Sequence, residues 1–400
     1  MTAPRVDVTL DAPQRQEALI VRDPALDSTF VTGRLVALDG LRTPAVIAVF
    51  FYHSASGVMK GGWSGVDTFF ALSGFVITLL LVREFRERGR IRLGRFYLQR
   101  LARLWPALLI VCFCVGLTSV LLPGSGWGAQ GGNSLQAATY LMNIYRSGLL
   151  GVTTAGGALG HTWTLAVEEQ FYLLWPLVLI VLLRTVGERA AMIVTVVLAG
   201  ATVVERAIMV ASDVGLNRLY NGPDTRADQL LVGCALALLL STTSSTSTSG
   251  HRVAAISRWL IWPSSILLVL VAFLLPPAFE EGGWFNFYWV MGPFLLALIA
   301  TCLICGLVTN PNHVLSRALS HRILSWPGRN LSYGFYLWHL PLIYLLIPLI
   351  DSIFLRVPIV FLLTLVVAYL SARFIEAPVR TWVRKRMARR IGDGRARDKV

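Results

Sequence analysis

Apolar residues along this chain do not alternate with polar ones; they gather into runs near 20 residues, parted by short polar or charged stretches. That length matches the roughly 20 helical residues needed to cross a hydrocarbon core about 30 Å thick. Ten such segments are predicted, at 35–54, 63–82, 104–122, 163–183, 190–211, 226–240, 259–275, 289–308, 331–350 and 357–374. The sixth is short enough to be re-entrant rather than spanning. The stretch 134–145 (SLQAATYLMNIY) predicts a short interfacial helix inside a glycine-rich loop, and 241–250 (STTSSTSTSG) reads as a flexible linker. The expected fold class is an all-α polytopic membrane protein, its transmembrane domain covering residues 35–379.

Composition supports this. Hydrophobic residues make up 55% of the chain and charged residues only 14%, with mean hydropathy +0.63, where a soluble protein keeps about a quarter charged. The net charge of +14 does not point to nucleic acid, because the cations follow topology. With the N-terminus inside, cytoplasmic segments hold 28 Lys and Arg, and outer loops hold five: Lys60, Arg146, Arg218, Arg226 and Arg356. Arg42, Arg206 and Arg373 fall within spans. The positive-inside rule then puts both termini in the cytoplasm. Residues 1–34 lack the apolar core of a signal peptide and read as a disordered cytoplasmic tail; 380–400 reads as a basic cytoplasmic tail. The near absence of lysine beyond Lys60, Lys385 and Lys399 is compatible with a GC-rich genome. Cys112, Cys114, Cys234, Cys302 and Cys305 all lie in apolar segments. Their odd number argues against a disulfide framework, and one C-x-x-C pair without a second argues against zinc. No metal or permanently bound cofactor is expected.

Ionisable side chains inside spans are costly and by default mark a pathway or a site. Arg42 and His53 share the first span, 11 residues apart. At about 100° per residue they face the same direction, roughly 16 Å apart along the axis. Arg42 lies nearer the cytoplasm and His53 nearer the outer side. Each has an ordinary explanation: a snorkelling arginine, or a core histidine satisfied by a neighbour. Their shared face weighs against both. Asp67 enters the second span from the outer side, at the depth of His53, and is placed to orient or charge-stabilise that imidazole.

These residues belong to longer motifs. LDGLR (38–42), ten residues and then His53, followed by GVDTFFALSGFVIT (65–78), resemble acyltransferase family 3 of bacterial membrane O-acyltransferases. FYLQRLARLWPAL (96–108) resembles the family's basic cytoplasmic motif. HTWTLAVEEQFYLLWPL (161–177), DTRADQLLVGCALA (224–237), LSYGFYLWHLPLI (331–343) and FIEAPVR (374–380) match its later motifs in order. The resemblance spans roughly residues 35–382. One departure is Thr43-Pro44 after Arg42, where the family commonly has small or apolar helix formers. Pro44 is positioned to kink or to start the span.

The resemblance implies transfer of an acyl group, often acetyl, from acyl-CoA to a hydroxyl, commonly on a sugar. The residues fit that chemistry. Activating an alcohol near neutral pH needs a positioned base, and His53 is the candidate. Arg42 is suited to stabilise oxyanion charge or the anionic groups of coenzyme A. Arg83, Arg86, Arg88, Arg90, Arg92, Arg95, Arg100 and Arg103 crowd the cytoplasmic stretch before the third span. Arg100 and Arg103, three apart on one face, are the donor-binding candidates, against the simpler reading of topological charge. Glu168 and Glu169, near the outer start of the fourth span, either bind acceptor hydroxyls or pair with Arg226. Tyr333 and His339 are further cavity candidates, and His161 reads as interfacial. Trp163, Trp338 and Tyr336 could stack on sugar, yet an aromatic belt explains most of the 12 tryptophans.

The expected function is therefore a membrane O-acyltransferase using acyl-CoA on an envelope glycan or glycolipid sugar. Alternatives are O-acylation of a glycosylated metabolite, a proton-coupled transporter, or a non-catalytic scaffold. Against a transporter, no paired inverted halves are visible. Some relatives carry an extra extracytoplasmic hydrolase-like domain, for which these 400 residues leave no room. The oligomeric state is not set by the sequence.

Overall fold

The computed structural model describes residues 35–275 and 285–397. In chain order its helices are α1 (Val36–Ser54), α2 (Gly65–Arg88), α3 (Leu93–Leu121), α4 (Gln130–Ala138), α5 (Met142–Ser147), α6 (Trp163–Thr185), α7 (Gly187–Ala211) and α8 (Leu216–Asn221). There follow α9 (Ala227–Thr242), α10 (Thr248–Leu274), α11 (Phe285–Thr309), α12 (Val314–Ser320), α13 (Arg322–Asn330), α14 (Ser332–Leu346), α15 (Ile353–Ser371) and α16 (Ala377–Arg397). The tail expected over residues 1–34 lies outside the described residues. The basic segment after residue 380 continues as α16.

A helix forms over each of the ten apolar segments, but among the described residues seven helical stretches, not ten, are long and apolar enough to cross a membrane. Three fall short for physical reasons. α9 has 16 residues and α14 has 15; α1 carries Asp39, Arg42 and His53, which lower its hydropathy. These are interior helices. A helix surrounded by protein needs no full-length apolar exterior, because neighbouring side chains rather than lipid solvate it.

The α2–α9 pair forms the centre. A Cβ on Gly74 would lie 1.9 Å from the Leu230 carbonyl oxygen, and one on Gly233 would lie 2.1 Å from that of Ala71. Only glycine lets the two backbones approach so closely, the usual device for tight helix contact in membranes. In the stretch Gly62–Arg88, 72% of the apolar window is buried, against 17% in Ile353–Met387. The first is a core helix and the second faces lipid. At one end of the bundle, Arg86 bonds Glu188 and donates to the Ser241 carbonyl at 2.7 Å, tying α2 to α7 and α9. That end carries most of the arginines and is called the basic end below; α4, α5 and α8 lie at the opposite end.

Several local expectations change. Pro44 does not start α1; it lies inside it. The neighbouring Thr43 hydroxyl donates to the Leu324 carbonyl at 2.6 Å, fixing α13 against this turn. The stretch 134–145 is two helices, α4 and α5, because Tyr140 takes a left-handed φ of 55° between them. The segment 241–250 is no long flexible linker. α9 runs to Thr242, and Ser247 caps α10 by accepting from the Gly250 N–H at 3.0 Å, the role for which serine is favoured.

Candidate active site

α3 begins at Leu93, so Arg100 and Arg103 sit inside the bundle rather than ahead of it. They open into a cavity of about 160 Å³ together with Arg42 of α1, Ser73 of α2, Glu168 and Tyr172 of α6, and Tyr333 and Tyr336 of α14. The polar groups there are tightly ordered. Arg100 donates to Glu169 at 3.0 Å, and its guanidinium lies 3.4 Å over the Tyr172 ring. The Ser73 hydroxyl donates to Glu168 at 2.8 Å, and Tyr333 donates to the Leu104 carbonyl at 2.7 Å. Arg42 lies 3.6 Å from Asp39, one turn back.

A second cavity, of about 410 Å³, continues toward the basic end. It shares Arg42, Val76, Leu80 and Arg103 with the first and adds Arg83, Arg329 and Arg380. Six arginines drawn from five helices therefore line a route from the basic end to the middle of the bundle. Such a concentration of guanidinium groups suits a polyanion, since each offers a planar fork of donors to phosphate.

His53 and His339 do not line this route. They form a pair beyond it, toward the opposite end. His53 Nδ1 is 2.9 Å from the Val49 carbonyl, His339 Nδ1 is 2.6 Å from the Tyr336 carbonyl, and His339 Nε2 is 3.3 Å from His53 Nδ1. A carbonyl oxygen can only accept. Each neutral imidazole therefore carries its proton on Nδ1, as inferred from these partners. His339 Nε2 is then an acceptor facing the His53 N–H, and His53 Nε2 is left with a free lone pair. That is the arrangement a general base requires. Tyr336 joins the two regions: its ring lines the cavity while its carbonyl holds His339.

Other expectations are corrected. His161 is not interfacial; it is 3% exposed, with its ring centroid 4.9 Å from that of His339. Glu168 and Glu169 turn toward Ser73 and Arg100, not Arg226. Asp67 does not contact His53; its carboxylate lies 3.5 Å from Arg226, both side chains 2% exposed. Arg226 also donates to the Tyr220 carbonyl at 2.8 Å and stands over the Tyr220 and Trp163 rings. Trp163, Trp175 and Trp289 are buried, so the belt explanation does not apply to them.

Two functional elements escape the sequence reading. Arg206, there only a charge within a span, is fully buried and bonds both carboxylate oxygens of Asp228, at 2.8 and 2.7 Å. Gln170, inside the Glu-Glu-Gln motif, donates to the Tyr140 carbonyl and exchanges amide bonds with Asn143, all at 2.9 Å. The motif thus works as three outputs from consecutive residues: Glu168 to α2, Glu169 to α3, and Gln170 to the strained Tyr140 turn. Among the described residues, no cluster of His, Cys, Asp and Glu could hold a metal.

Comparison with known proteins converges on one description. A family model described as "Acyltransferase domain" matches residues 35–373. The chain is 31% identical over 369 residues to YrhL of Bacillus subtilis (strain 168), a protein provisionally assigned as a peptidoglycan O-acetyltransferase; the match covers 88% of this chain and 56% of the relative. It is 32% identical over 353 residues to the peptidoglycan O-acetyltransferase OatA of Listeria monocytogenes serovar 1/2a, covering 86% of this chain and 55% of the relative. The chain thus spans about half the length of these relatives. No solved structure matches.

Proposed function

Because the chain belongs to acyltransferase family 3, we propose that it is a membrane O-acyltransferase that moves an acetyl or other short acyl group from acyl-CoA to a hydroxyl of a cell-envelope glycan. The basic end faces the cytoplasm, where the donor is made, and α1, α9 and α14 complete ten crossings with both termini inside. The observation that carries the reading is the arginine-lined route ending at Tyr336, directly against a histidine pair whose tautomers leave His53 Nε2 as a base.

Coenzyme A phosphates rest on Arg83, Arg103, Arg329 and Arg380, and its pantetheine arm extends into the inner cavity. Since His53 lies behind the cavity wall, transfer requires Tyr336 and its neighbours Phe69 and Leu165 to move aside. His53 Nε2 then takes the acceptor hydroxyl proton as that oxygen attacks the thioester carbonyl. Arg42 or Arg100 neutralises charge developing on the donor side, and the thiolate leaves, taking up a proton. Glycosylated metabolites or glycolipids would place the same hydroxyl in the same position.

The test uses the full chain in lipid nanodiscs with radiolabelled acetyl-CoA and soluble peptidoglycan fragments. Label recovered as an alkali-labile ester on the sugar supports transfer; uptake of solute without ester formation overturns it in favour of a transporter. In the same assay Arg103→Gln is expected to raise KM for acetyl-CoA about tenfold with kcat little changed, the size of one lost charge-assisted bond. A lowered kcat at unchanged KM would remove Arg103 from donor binding.

A further inference from the structure

Arg146 takes no part in the route or the histidine pair, and it projects from α5 at the end opposite the arginine-lined mouth. Its guanidinium is built into place. Nε donates to Asn221 Oδ1 at 2.9 Å and Nη1 donates to the Ala155 carbonyl at 2.6 Å. A Cβ on Gly160 would lie 2.6 Å from that same Nη1, so glycine at 160 makes room for the cation. Gly160 precedes His161, whose ring meets His339, which in turn bonds His53. Tyr52, Tyr220, Tyr336 and Tyr344 are the electrostatic neighbours of the guanidinium.

Two of the five guanidinium N–H groups are spent on the Asn221 and Ala155 acceptors. Among the described residues, no carboxylate forms an ion pair with Arg146. By contrast, Arg100, Arg206, Arg218 and Arg226 each have one. A half-buried, immobilised guanidinium without an anion is an unusual expense in the fold. Its remaining donors form a planar edge, the shape that recognises a carboxylate through two parallel bonds.

We propose that Arg146 binds a carboxylate of the acceptor, so that the site takes a carboxyl-bearing sugar and presents a hydroxyl of that sugar to His53 Nε2. This deepens the acyl-transfer reading and rests on it for the acceptor being a glycan. Of the neighbouring tyrosines, Tyr52 is half-buried and Tyr344 exposed, and they supply ring faces on which a sugar can lie.

The test measures binding, so that it needs no turnover. The full chain is purified in detergent and titrated calorimetrically with a disaccharide of N-acetylglucosamine and N-acetylmuramic acid in two forms, one with its lactyl carboxylate free and one with it converted to the methylamide. The free acid is expected to bind at least about tenfold more tightly than the amide, the size of a charge-assisted pair. Arg146→Ala should bring the acid down to the affinity of the amide, and Arg146→Lys should retain part of the preference. Equal affinity of both forms for the wild type overturns the proposal. So does binding of neither form, a preference that survives Arg146→Ala, or an equal loss for both forms in that variant. Failure of the acyl-transfer reading is seen separately, as absence of ester formation from acetyl-CoA with the carboxylate preference intact.

Discussion

Replacing His53 by alanine is expected to lower acyl transfer by about two to four orders of magnitude, the range contributed by a positioned general base. The imidazole is held by the Val49 carbonyl and His339, so its orientation is set before any substrate arrives. Removing it takes away the lone pair on Nε2 but none of the arginines that hold the donor. The loss should therefore fall on kcat, with KM for acetyl-CoA within a few-fold of wild type. His53→Gln keeps a polar side chain of similar reach but cannot take a proton, and should be as impaired as alanine. The acid limb of the pH–rate profile should also vanish, because it reports protonation of that base. Initial rates in nanodiscs across pH decide the matter; a variant within tenfold of wild type would show that another group removes the proton.

The second large effect is on stability. Asp228→Ala should destabilise the protein by about 3–5 kcal/mol, the cost of leaving a buried charge without its partner. Arg206 spans α7, α9 and α11 through one guanidinium: it bonds Asp228, the Thr225 carbonyl at 2.6 Å and the Val290 carbonyl at 3.0 and 3.1 Å. Losing the carboxylate strands the buried cation among three helices. Thermal unfolding of the purified variant in detergent measures this. The double change Arg206→Met with Asp228→Leu should recover much of the loss, since well-packed apolar residues often substitute for a buried pair without penalty. If the single variant unfolds at the wild-type temperature, the ion pair does not hold these helices.

Much of this was legible in the sequence, and the misses share a cause. Hydropathy located a helix over each of the ten apolar segments, because lipid-facing segments must be apolar along their length, but it did not find the short α8, α12 and α13 or the basic α16. It marked α9 as short but did not set α1 and α14 apart from the lipid-facing helices, since a count of apolar residues does not tell lipid from protein surroundings. It also set the start of the third helix too late: the arginines at 95, 100 and 103 depress hydropathy, yet arginine is a good helix former and the helix runs through them from Leu93. Arg42 and His53 stood out because their cost in a membrane is intrinsic to the residues. The partner of Asp67 did not, because depth along a helix says nothing about rotation around it, and the choice between His53 and Arg226 is made by tertiary packing. His161 looked interfacial for the same reason: the tight 3-10 turn Gly157–Thr162 folds it inward. Gln170 was in plain view within a recognised motif, but its partners lie 27 and 30 residues away across the Tyr140 turn.

The wall of Tyr336, Phe69 and Leu165 at the inner end of the arginine-lined route has a consequence for the cell as a whole. A polar path entering from each side of a bilayer, if the two paths met, would conduct protons and collapse the voltage on which the membrane runs. Here the route from the basic end stops at Tyr336, and the histidine pair lies behind it. On the proposed reading, an acyl group passes Tyr336 only while substrate fills the route. The protein can then export chemical groups as an airlock does, without ever short-circuiting the membrane that houses it.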